Sequence, residues 1–112
     1  MGQVLWMGEQ SRPAGALVHF DRTELCRLLG LYSSRVADGE WRDYAIDLRA
    51  DRAVFAVFRH TFDRPLFTIS KVGGAGRPSD WEVASGQRTL THAETLEEAL
   101  HVFDKSLRLI TH

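Results

Sequence analysis

Two hydrophobic periods alternate along the chain, and the points where one gives way to the other divide it into elements. Leu25, Leu28, Leu29, Tyr32 and Val36 recur at the spacing that gathers side chains on one stripe of a 3.6-residue helix. Asp21 stands at the N-cap position, and Glu24 completes a capping-box pattern with Asp in place of Ser or Thr. Asp38-Gly39 supplies the stop. From Asp43 the period drops to two, with Tyr44, Ile46 and Leu48 alternating against Ala45, Asp47 and Arg49. A Val- and Phe-rich strand follows from Ala53 to His60. Reading Asp51-Arg52 as the turn sets Leu48 opposite Phe55 and Ile46 opposite Val57. Pro65 to Lys71 forms a third strand, with Ile69 opposite Val57 and Phe67 opposite Arg59, and Trp81 to Ser85 forms a fourth. After a short extension at Thr89-Leu90, Thr95 caps a second helix with Leu96, Ala99, Leu100, Phe103, Leu107 and Ile110 at helical spacing.

The order α-β-β-β-β-α predicts an α+β fold, a four-stranded antiparallel meander with both amphipathic helices packed on one face. That face buries Ile46, Leu48, Phe55, Val57, Ile69 and Val83. The opposite face, with Ala45, Ala56, Thr68, Ser70 and Ala84 beside Val54 and Phe58, is thin enough for a partner to dock. Residues 1–16 mix Gly, Pro, Gln and Ser without a sustained period and read as a flexible tail before a single domain over 17–112. Gly73 to Pro78 reads as a flexible hairpin loop.

A chain of 112 residues has room for one core. Its 44% hydrophobic and 26% charged residues are ordinary globular usage, so it is expected to fold without a cofactor. The single cysteine, Cys26, excludes an intramolecular disulfide and favours a reducing, cytoplasmic setting. Gln3 to Met7 is too short an apolar patch, without a basic flank, for a signal peptide or a membrane span, so no membrane partner is expected. Trp6 occupies the place where a myristoylation signal needs Ser or Thr, and Met7-Gly8 is an alternative start. The net charge of −1 conceals an asymmetry: residues 41–77 carry seven basic against four acidic side chains, and residues 78–112 three against six.

Candidate chemistry is sparse. The five histidines and Cys26 show no metal-ligand spacing, so no metal is expected. The serines lie in no nucleophile context; His60 with Asp43, facing each other across the hairpin, is the best acid–base pair. Gly73-Gly74-Ala75-Gly76 is followed by Pro78 and a strand, whereas a phosphate-cradling loop opens a helix. The aromatic residues among the basic residues of 41–77 read mostly as core, with Phe58 the one presented to solvent beside Arg49. Trp41 and Trp81 each open a strand and read as seals on the core ends.

The phrases LVHFDRTEL, GEWRDYAIDL, RAVFAVFRH and RPLFTISK resemble a small bacterial family of uncharacterised proteins, a domain of unknown function, from about Leu17 to Ile110. The resemblance implies a single bacterial cytoplasmic domain and no particular reaction, ligand or partner.

Three functional readings follow. The first is a non-enzymatic binding or regulatory module whose partner is another protein or a second copy, docking around Ala45, Ala56 and Phe58. The second is a nucleic-acid-binding module with Arg49, Arg59, Lys71 and Arg77 on phosphates. The third is a small enzyme using His60 and Asp43.

Overall fold

The computed structural model describes residues 17–60, 64–73 and 78–111, with side chains described as far as Asp104. The expected tail at 1–16 and the centre of the Gly-rich loop, 74–77, lie outside these residues, as do the side chains of Leu107 and Ile110. The elements run α1 (Arg22–Ala37), β1 (Asp43–Leu48), β2 (Arg52–Phe58), β3 (Phe67–Val72), β4 (Asp80–Ser85), β5 (Arg88–Ala93) and α2 (Leu96–Thr111). The strands form one antiparallel sheet in the order β1-β2-β3-β4-β5.

The fifth strand corrects the expected four. Gly86, at φ 64°, opens a two-residue turn between Ser85 and Arg88, and the residues beyond it pair with β4 through a bulge between Val83 and Ala84. Its sequence, RTLTHA, has too few apolar residues to show a period of two, but its threonines suit an extended backbone.

Both hairpin registers also differ from expectation by two residues. Arg49 donates its N–H to the Arg52 carbonyl at 2.8 Å, so the first turn is Ala50-Asp51; Ile46 faces Phe55 and Leu48 faces Ala53. On the other side, Phe55 faces Ile69 and Val57 faces Phe67. A slip of two keeps each side chain on its face, which is why Phe55, Val57 and Ile69 remain inward as predicted.

Phe55, Leu28, Ile69, Val57 and Val83 are completely buried, each contributing roughly 1.5–3 kcal/mol of hydrophobic free energy. Trp41 and Trp81 close the core as expected, each 4% exposed. Trp41 meets Phe103 of α2 edge-to-face, and Phe20 stacks on Trp81. Helix α2 packs over β4 and β5 with Leu96, Ala99 and Phe103 inward; Thr95 Oγ1 accepts the Glu98 N–H at its start.

Helix α1 has the expected capping box, Asp21 and Glu24 bonding reciprocally at 2.8 and 2.9 Å, and ends at Gly39 with φ 78°. Its inward line is rotated from the expected stripe. Leu28 is buried as predicted, but Val36 is 41% exposed and Arg35 takes the last inward position. Buried Arg35 is tolerated because its charge is paired: it meets Glu40 at 3.0 Å, donates to the Phe103 carbonyl at 3.2 Å and lies against the Trp41 and Phe103 rings. At the other end of the line, Glu24 receives Lys71 Nζ at 2.7 Å. A charged side chain thus ties each end of α1 to the rest of the domain.

Candidate functional site

The apolar side chains of β1 are only partly covered. Tyr44, Ile46 and Leu48 lie on the helix side of the sheet, directly opposite the buried Val57, Phe55 and Ala53, yet they are 39, 41 and 40% exposed. The expectation that Ile46 and Leu48 are buried under both helices is therefore corrected; Tyr44 meets Tyr32 of α1 edge-to-face at 4.8 Å. Leu17, just before the Val18 N–H that donates to the Arg49 carbonyl, is a further exposed apolar residue near the Leu48 end.

Among the described residues β1 is also an edge strand, and the orientation of its backbone follows from the ladder. Arg49 bonds to Arg52, so the alternation of an antiparallel pair points residues 43, 45 and 47 toward β2 and turns the N–H and C=O groups of Tyr44, Ile46 and Leu48 outward. The Tyr44 N–H accordingly donates to its neighbour's carboxylate, Asp43 Oδ1, at 2.8 Å. Burial, with the nearby charges of Asp43 and Tyr44 adding to it, raises the ionisation of the Tyr32 phenol above the ordinary tyrosine range.

The binding residues expected from sequence are dispersed. Arg49 is exposed beyond the end of β1, with both Nε and Nη2 on Asp47 Oδ2. Arg59 is exposed at the opposite end of the hairpin, beside the half-buried Phe58. Lys71 points to the helix side, facing Ala53 and Trp81, and its ammonium is held by Glu24 and the His19 carbonyl. Arg77 lies outside the described residues. The far face of the sheet is less open than expected, with Ala56 and Ser70 buried and Val54, Phe58, Thr68 and Ala84 half-buried. The register sets Asp43 opposite Phe58, so His60 lies two residues beyond the position expected for an acid–base pair.

An open cleft of about 820 Å³ lies between the β5 edge and the start of α2, lined by Asp80, His92, Glu94, Glu98 and His101 among others. His92 Nε2 is 3.9 Å from Asp80 Oδ2, with both side chains about half exposed. Among the described residues these groups do not assemble into a metal-binding cluster. No helix among them is long and apolar enough to cross a membrane.

Among the described residues the geometry defines a small α+β meander domain with a partly exposed apolar edge strand. Residues 18–90 match the model of a family described as protein of unknown function (DUF2794), and the chain belongs to that family. The match ends within β5 and leaves out α2, whereas the sequence resemblance was expected to reach Ile110. No curated protein and no solved structure matches the chain significantly.

Proposed function

We propose that this domain is a non-enzymatic binding module that acts through protein–protein contact in the bacterial cytoplasm. The observation that carries the proposal is the strip of Tyr44, Ile46 and Leu48, three large apolar side chains exposed in a row beside outward-facing backbone groups. Edge strands of this kind bind by adding a strand, with main-chain hydrogen bonds giving affinity and alternate side chains giving selectivity. The contact surface thus shifts from the far face around Phe58 to the helix side of β1. A reducing cytoplasm suits the exposed Cys26 thiol.

The test is cross-linking in cells through a photoreactive residue replacing Leu48, compared with one replacing Arg88 on β5. Protein adducts specific to position 48 are the expected result. Equal labelling from both positions, or adducts to nucleic acid alone, would overturn the reading; the latter would favour the basic 41–77 segment instead.

A further inference from the structure

We infer that the partner of the β1 edge is a second copy of this chain, paired antiparallel about Ile46 so that two five-stranded sheets join into one. The inference rests on the protein-contact reading above and adds the partner and the register. Two strands related by a twofold axis through Ile46 exchange the outward backbone bonds of Ile46 with Ile46, and of Tyr44 with Leu48. Their apolar side chains then meet on the helix side of the joined sheet.

Charge selects this register. On the other face it sets Asp43 of each copy opposite Arg49 of the other, twice by symmetry, and Asp47 opposite Ala45. A slip of two positions in either direction sets Asp43 against Asp47 or Asp47 against itself, and like charges directly opposite are destabilising. Larger slips shorten the overlap of a six-residue strand. The hydrogen-bonding groups are already disposed for the exchange: Asp43 satisfies the outward Tyr44 N–H in the single chain, and pairing transfers that N–H to a Leu48 carbonyl and frees the carboxylate for Arg49.

The experiment is analytical ultracentrifugation of the full chain under reducing conditions, which exclude a disulfide through Cys26. Wild type should show a concentration-dependent dimer. Ile46→Pro should dimerise at least about tenfold more weakly, since it deletes an outward N–H while leaving the bonds to β2 intact. Asp43→Arg and Arg49→Asp should each weaken dimerisation by about tenfold, and an equimolar mixture of these two variants should recover a heterodimer of near wild-type affinity. The mixture decides the register even if the proline variant fails to fold. A monomeric wild type, or a dimer indifferent to the proline and without recovery in the mixture, would overturn the inference. In either case the protein-contact reading survives if the position-48 adducts contain a different protein, and falls with the inference if they do not.

Discussion

Strands β1 and β2 each present a row of apolar side chains to the helix side and pair over six residues, but the two rows have opposite fates. Phe55 and Val57 are completely buried; the side chains facing them, Ile46 and Tyr44, remain about 40% exposed. The difference lies in what is layered above. The core cluster under the helices draws in Phe55, Val57, Ile69 and Val83 and no residue of β1, although Tyr44 stacks on Phe55 at 5.2 Å. Alternation in a strand therefore reports which face is apolar, while burial depends on whether another layer reaches that far.

The largest expected effect separates the two strands directly. Phe55→Ala should cost about 3–5 kcal/mol by leaving a cavity under the helices. Ile46→Ala should cost about 1 kcal/mol or less, because its side chain is already partly in water. Urea denaturation at a concentration low enough to keep the chain monomeric measures both, and equal losses would mean that β1 is covered as well as β2. A smaller effect tests how the helices are held. Arg35→Ala should cost about 2–3 kcal/mol, less than the roughly 3–5 kcal/mol of a fully buried pair, because Glu40 keeps some access to water. A loss below about 0.5 kcal/mol in the same assay would show that the Arg35 contacts are incidental.

The smallest effect is a pH dependence at the junction of α1 and β1. Burial raises the Tyr32 phenol above its unfolded value near 10, so the native state holds its proton where the unfolded chain releases it. Its contribution is complete below about pH 10 and is lost as pH rises through the folded value. Tyr32→Phe should flatten stability against pH above about 10 relative to wild type, and an ultraviolet titration should show one tyrosine ionising late. Parallel curves for the two proteins would remove Tyr32 from this account.

Much of the fold could be read from the residues because local chemistry states it directly. The Asp21–Glu24 box, the Gly39 stop, the Thr95 cap, the alternation in β1 and the Val- and Phe-rich run of β2 each depend on neighbours close in sequence. What escaped depends on distant ones. Arg35 reads as a surface residue until Glu40, Trp41 and Phe103 are brought around it. Lys71 reads as a free phosphate contact until Glu24 and the His19 carbonyl claim it. The exposure of Ile46 and Leu48 was missed for the same reason: hydrophobicity marks them for burial, and whether another layer covers them depends on distant parts of the chain.

The strand order has a consequence for assembly. Because every strand lies beside its sequence neighbour, each pairing step closes only one turn or loop, and the entropy lost in each closure is small. The Arg35 bond to the Phe103 carbonyl is different in kind, joining residues 68 positions apart. It requires both helices to be brought side by side, so the buried guanidinium acts as the clasp that joins the last helix of the chain to the first.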